Sequence, residues 1–162
     1  MTHCTTRLAD LRVEDAMARE VIAVSVHSTM SEAADVLMEA GISGAPVVDH
    51  EGRCVGVLTG CDYVRERAAA HDEDGGAISL RGDAGGFRVW IEDQDLVRRR
   101  MSTGVQTIDR RRSLLDAARF MCGQHVHRLI VVDANHRPVG LISSLDLVAA
   151  VLNVAQEEEP GL

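Results

Sequence analysis

The chain has 162 residues, 46% of them apolar, and a formal charge of -8, which allows a real core but gives the wrong sign for a surface built around nucleic acid or anionic lipid. Its few aromatic residues (Phe87, Trp90, Phe120 and Tyr63) offer no base-stacking platform, and all 17 basic residues are arginine, which removes lysine-dependent Schiff-base and general-base chemistry. Cys4, Cys54, Cys61 and Cys122 lack CxxC or zinc-ligand spacing, so no metal site or disulfide framework is expected. Without a signal peptide or an apolar run of about 18 residues, the expectation is a soluble, cytoplasmic protein outside the membrane.

Residues 1–6 read as a loose terminus and Leu8–Met17 as a short helix with Leu11, Val13 and Met17 as buried contacts. Val21–Val24 follows as a short strand. Thr29 and Glu32 form a capping-box pattern ahead of Met30, Ala33, Ala34, Leu37 and Met38, whose spacing predicts an amphipathic helix with one buried stripe, stopped by Gly41. Pro46–Val48 then reads as a strand, Asp49–Gly52 as a hairpin turn, Val55–Leu58 as the return strand and Gly60–Ala70 as a helix. Residues 71–94 break the pattern with the acidic run Asp72-Glu73-Asp74 and several glycines, as a solvated, Gly-rich linker does. From Asp95 the order repeats. Ser113 and Asp116 cap a helix with the stripe Leu114, Ala117, Ala118, Met121 and Cys122, and a final helix runs to Ala155 before an acidic tail at 156–162. The arginine runs 98–100 and 110–112 read as solvated heads over apolar stems.

The repetition has a fixed register. Moving each residue of the first half forward by 84 positions puts Val47-Val48-Asp49 on Val131-Val132-Asp133, Arg53 on Arg137, Val55-Gly56 on Val139-Gly140, Thr59 on Ser143 and Asp62 on Asp146, without a gap. Met17 also falls on Met101, Val21 on Val105 and Ala33-Ala34 on Ala117-Ala118. This marks a duplicated unit, a strand-helix-strand-strand-helix motif present at 8–70 and at 95–155. In both copies an apolar strand closes on a hydroxyl with a carboxylate three residues later. Such a turn caps a helix, or it offers amides and a hydroxyl to a polar ligand while the carboxylate accepts the two hydrogen bonds of a ribose diol. The repeated pattern favours the ligand.

The fragments ISGAPVVD and VHRLIVVD, followed by GVLTGCD and GLISSLD, resemble the tandem CBS domains of a Bateman module, with ligand motifs similar to those of the γ subunit of AMP-activated protein kinase. The resemblance implies an α/β (α+β) fold of two β-α-β-β-α repeats in pseudo-twofold arrangement. It also implies a homodimer and a regulatory, non-catalytic role, such as energy sensing, exerted on a separate partner protein. The implied ligand is adenosine-containing: AMP, ADP or ATP, with S-adenosylmethionine and NAD as alternatives. By position, one cleft combines Val57, Thr59 and Asp62 with Val105, Val126, His127, Arg128 and Ile130. The other combines Val21, Ile42, Ser43, Gly44 and Pro46 with Leu141, Ser143 and Asp146. The second lacks a counterpart to Arg128, because Gly44 stands there, so a phosphorylated ligand is expected to prefer the first. The competing expectation is a ligand-free dimerisation module in which the hydroxyl and carboxylate are only caps. An enzyme is disfavoured because His125, His127 and the carboxylates form no nucleophile-base pattern.

Overall fold

A computed structural model describes residues 10–64 and 95–158; the expected loose terminus, linker and end of the tail lie outside these. The described chain is mixed α/β, with two three-stranded sheets. In chain order the elements are α1 (Val13–Ala16), β1 (Val24–Ser25), α2 (Met30–Ala40), β2 (Gly44–Val48) and β3 (Cys54–Thr59), with residues 60–64 helical. There follow α3 (Val97–Arg100), β4 (Thr107–Asp109), α4 (Leu114–Gln124), β5 (Arg128–Val132), β6 (Pro138–Ser143) and α5 (Ser144–Glu158). The sheets run β1-β2-β3 and β4-β5-β6, with β1 parallel to β2, β4 parallel to β5, and β5 antiparallel to β6.

The chain divides into two compact units that are not the two sequence repeats. Among the described residues, one contains 10–21, 52–54 and 105–158; the other contains 22–51, 55–64 and 95–104. Each unit therefore takes the segment that leads, in sequence, into the other unit's repeat. In the first unit α1 is held by Val13 N–H donating to the Arg112 carbonyl (2.8 Å) and Glu14 N–H to the Arg110 carbonyl (3.0 Å), while Val13 is fully buried beside Ile108, Leu129 and Ile142. In the second, Val97 N–H donates to the Ser28 carbonyl (2.9 Å) and Met30 N–H to the Asp95 carbonyl (2.8 Å), and Val97 is fully buried beside Met30, Val47 and Leu58. Burial of either valine contributes about 1.5 to 3 kcal/mol, so each short helix is fixed by packing and not by its own hydrogen bonds.

The longer helices follow local chemistry. Thr29 Oγ1 accepts from Glu32 N–H (3.2 Å) and Glu32 Oε2 accepts from Thr29 N–H (2.9 Å), closing the capping box of α2. Ser113 Oγ accepts from Asp116 N–H (3.0 Å) at the start of α4. The buried stripes are Met30, Ala33, Leu37 and Leu114, Ala117, Met121. Met38 and Cys122, expected in those stripes, are exposed instead, Met38 at 64%. Each lies about 100° beyond the last buried residue, and only one side of the helix meets its sheet. The first strand also starts later than expected. Residues up to Val21 belong to the first unit, where Ala18 is bridged to Leu141, so only Val24 and Ser25 pair with Val47 and Val48. Of the expected helix Leu8–Met17, Asp10 and Val13–Ala16 are helical, Leu11 and Arg12 are not, and Leu8 and Ala9 lie outside the described residues. Of the arginine runs, Arg100 pairs with Asp95, Arg110 with Glu14 (3.7 Å) and Arg112 with Asp116 (3.6 Å).

The helix ends show where the duplication has diverged. Gly41 ends α2 in the left-handed region (φ 64°), and its counterpart His125 ends α4 in the same region (φ 54°). A side chain there crowds the following carbonyl, at a cost of roughly 1 to 2 kcal/mol that glycine avoids. His125→Gly should therefore raise stability by about 1 kcal/mol, and Gly41→His should lower it, as read from urea unfolding midpoints. A destabilised His125→Gly would show that the imidazole makes a contact worth more than the backbone relief.

Candidate functional site

Both hydroxyl-x-x-Asp turns are built the same way, at the junction where a strand runs into a helix. In the second unit Thr59 closes β3, and Asp62 Oδ2 accepts from Thr59 N–H (2.7 Å) and Thr59 Oγ1 (2.9 Å). In the first, Ser143 closes β6, and Asp146 Oδ2 accepts from Ser143 N–H (2.7 Å) and Ser143 Oγ (2.7 Å). Ser143 Oγ also accepts from Asp146 N–H (3.3 Å). Each turn is thus a closed local ring that holds one carboxylate oxygen, Oδ2, inward.

The strand beside each turn repeats as well. Gly60 N–H donates to the Ser43 carbonyl (3.0 Å), and Ser144 N–H donates to the His127 carbonyl (3.0 Å). Arg128 is the register partner of Ser143, so the two side chains share one face of the sheet. The sequence reading assigns Arg128 to the cleft of Asp62, yet within its own unit it stands one strand from Ser143. At the equivalent place, a Cβ on Gly44 would lie 2.9 Å from the Leu58 carbonyl oxygen and 3.1 Å from Thr59 Cγ2. The backbone itself therefore excludes a side chain at Gly44, and with it a second arginine.

The sixteen residues named from sequence fall into two sets. Ile42, Ser43, Gly44, Pro46, Val57, Thr59 and Asp62 lie in the second unit; Val21, Val105, Val126, His127, Arg128, Ile130, Leu141, Ser143 and Asp146 lie in the first. Each expected cleft draws on both sets. Ser43, His127 and Arg128 are exposed, Pro46, Asp62 and Ile130 are buried, and the others are half-buried.

A cavity of about 550 Å³ within the first unit meets this group only at Asp146. Leu114 and Val154 are among its apolar walls, and Asp10, Asp15 and Asn153 join Asp146 as its polar ones. Its size suits a small ligand, and its carboxylates suit a neutral or cationic one. Asp10, Asp15 and Asn153 went unnoticed in the sequence because residues 10–15 and 146–154 are brought together only by the segment exchange. Among the described residues there is no group of three or more metal-ligating side chains and no helix long and apolar enough to cross a membrane.

Comparison with known proteins gives the family and the fold. The family model described as "CBS domain" matches residues 13–69 and 94–153. The CBS domain-containing protein YhcV of Bacillus subtilis is 30% identical over 149 residues, covering 92% of this chain and 89% of that protein. An uncharacterized protein of Methanocaldococcus jannaschii, MJ1232, is 28% identical over 89% of this chain, which spans 40% of that longer protein. Among solved structures, CBSX2 of Arabidopsis thaliana in complex with AMP has a TM-score of 0.64 at 22% identity, covering 90% of this chain and 98% of that one. The CBS domain pair of MJ0100 in complex with 5'-methylthioadenosine and S-adenosyl-L-methionine has a TM-score of 0.60 at 21% identity, covering 88% and 96%.

The turns also make a stability test. Asp62 is 5% exposed and accepts a further bond, from Ser102 Oγ at 3.2 Å, whereas Asp146 is half-buried. Asp62→Ala orphans more buried donors and should cost about 2 to 3 kcal/mol, against about 1 kcal/mol for Asp146→Ala. Equal losses in chemical denaturation would mean that the Ser102 bond and the burial of Asp62 contribute nothing to folding.

Proposed function

The chain belongs to the CBS domain family, and we propose that it is a regulatory, non-catalytic module that binds an adenosine-containing ligand and acts on a separate partner protein. The observation that supports this most is the duplicated turn, hydroxyl and carboxylate in one geometry at the ends of β3 and β6. Structural relatives of the same family hold AMP in one case and S-adenosylmethionine with 5'-methylthioadenosine in another. In this reading the carboxylates accept ribose hydroxyls, and the small apolar residues Val57, Val105, Val126 and Val21, Ile42, Leu141 wall the adenine. His127 and Arg128 hold phosphate, Arg128 supplying a forked donor that Gly44 does not. The Asp146 side, bordered by Asp10 and Asp15, favours an uncharged or cationic adenosyl compound. A ligand with different affinity for two arrangements of the module shifts their populations, and the partner reads the shift.

Mass spectrometry of small molecules released from the purified protein, followed by a thermal-shift screen of AMP, ADP, ATP, adenosine, NAD and S-adenosylmethionine, tests the reading directly. A ligand at about 100 times its dissociation constant stabilises by roughly 2.7 kcal/mol. Arg128→Ala should weaken AMP about tenfold and leave adenosine little changed, since a charge-assisted hydrogen bond contributes roughly 1.5 to 3 kcal/mol. Equal losses for both ligands in calorimetry would remove Arg128 from the phosphate site.

We also propose that the module is a homodimer in the cytoplasm. On α5, Leu145 (75%), Val148 (54%) and Leu152 (56%) form one exposed stripe at i, i+3 and i+7, with Ala149 and Ala155 alongside and no charge among them. The exposed side of α2 instead mixes Val36 and Met38 with Glu32, Asp35 and Glu39. A second copy that presents its own α5 to this stripe covers apolar surface without stripping water from a carboxylate. Val148→Glu should accordingly convert a 35 kDa-class species, about twice the 17.5 kDa chain, to monomer in light scattering without lowering the melting temperature. A dimer that tolerates this change uses another surface.

A further inference from the structure

The two turns differ at the Oδ1 oxygen. Asp62 Oδ1 accepts from Ser102 Oγ at 3.2 Å, whereas Asp146 Oδ1 has no donor among the described residues. The difference arises at equivalent places in the two units. Ser102 exchanges backbone hydrogen bonds with Val57 (2.9 Å each way), and Ala18 exchanges them with Leu141 (2.9 Å each way). Moving forward by 84 positions carries Ala18 onto Ser102 and Val57 onto Leu141. One frame thus presents a hydroxyl to its carboxylate, and the other carries alanine at the equivalent position.

We infer that Ser102 sets ligand selectivity by occupying, on Asp62, the oxygen that a ribose hydroxyl would use. The inference rests on the proposed role of the two carboxylates as ribose acceptors. In each turn Oδ2 is committed to the hydroxyl and amide of the same turn, which leaves Oδ1 as the oxygen for a ligand. At Asp146 that oxygen meets an arriving sugar without competition. At Asp62 the sugar must take it from Ser102, and the displaced hydroxyl loses a charge-assisted bond in a place where its acceptor is almost wholly shielded from water. A nucleoside without phosphate therefore prefers the Asp146 turn. At the Asp62 turn a ligand must offset that displacement with a further contact, so the two turns rank adenosyl compounds differently.

Isothermal calorimetry with adenosine tests this in two backgrounds that isolate one turn each. In Asp146→Ala, adding Ser102→Ala should tighten adenosine binding by about three- to tenfold while lowering the melting temperature, because a buried hydrogen bond is lost as the acceptor is freed. In Asp62→Ala, adding Ala18→Ser should weaken adenosine binding by a similar factor. A purely structural serine would lose stability and affinity together. Unchanged or weaker binding on Ser102→Ala, or an Asp146 turn indifferent to Ala18→Ser, overturns the inference while the adenosine reading stands. If the wild-type chain binds neither adenosine nor AMP, the adenosine reading falls first and this one with it.

Discussion

A three-stranded sheet has two open edges, and in this chain one edge of each sheet is covered by a residue that lies far away in sequence. Ala18 pairs with Leu141 on β6, and Ser102 pairs with Val57 on β3, each through two backbone hydrogen bonds. These pairings fix the rest. They carry α1 onto the core of Ile108, Leu129 and Ile142, and α3 onto the core of Met30, Val47 and Leu58. An edge that would otherwise be a template for another strand is closed. Each unit is completed by chain that leads into the other repeat, so neither sequence repeat contains all the parts of a compact unit.

The same two residues stand beside the turns that carry the candidate chemistry. In the second unit the covering residue's side chain reaches the carboxylate that follows the strand, Ser102 Oγ donating to Asp62 Oδ1. Edge protection and the surroundings of that carboxylate are therefore set by one position. A substitution there changes the local chemistry without touching the frame, since the backbone bonds that hold it do not depend on the side chain. Gly44 is the opposite case. Its lack of a side chain is imposed by the Leu58 carbonyl, and the absence of a cation on that strand follows from packing.

The sequence makes the local and repeated features legible. The capping pair Thr29 and Glu32, the stripe Met30, Ala33 and Leu37, and the matching turns at Thr59 and Ser143 all depend on neighbours within a few residues or on a constant offset. What it leaves hidden depends on which distant segment supplies a partner. Nothing near Ala18 or Ser102 marks either as an edge residue, and the register shows only that they are equivalent. The exchange follows from that pairing, and with it the late start of β1 and the cavity that unites Asp10, Asp15, Asp146 and Asn153. Met38 and Cys122 were misread for a simpler reason: a period of 3.6 admits them at the margin of the stripe, and only the width of the contact with the sheet decides which side of that margin they take.

Duplication alone gives two equal sites, which answer one ligand in one concentration range. Here the frame has stayed equal while the chemistry has separated at Gly44 against Arg128, Ser102 against Ala18, and Gly41 against His125. None of these pairs alters a ladder hydrogen bond, so the separation leaves the backbone pairings of both units in place. A ligand moves a conformational equilibrium only by the difference in its affinity for the two states, and two sites of unequal affinity contribute at different concentrations. In the proposed ligand-binding role, divergence on a fixed frame would widen the range over which the module responds, through side chains at a few places that the fold leaves free to vary.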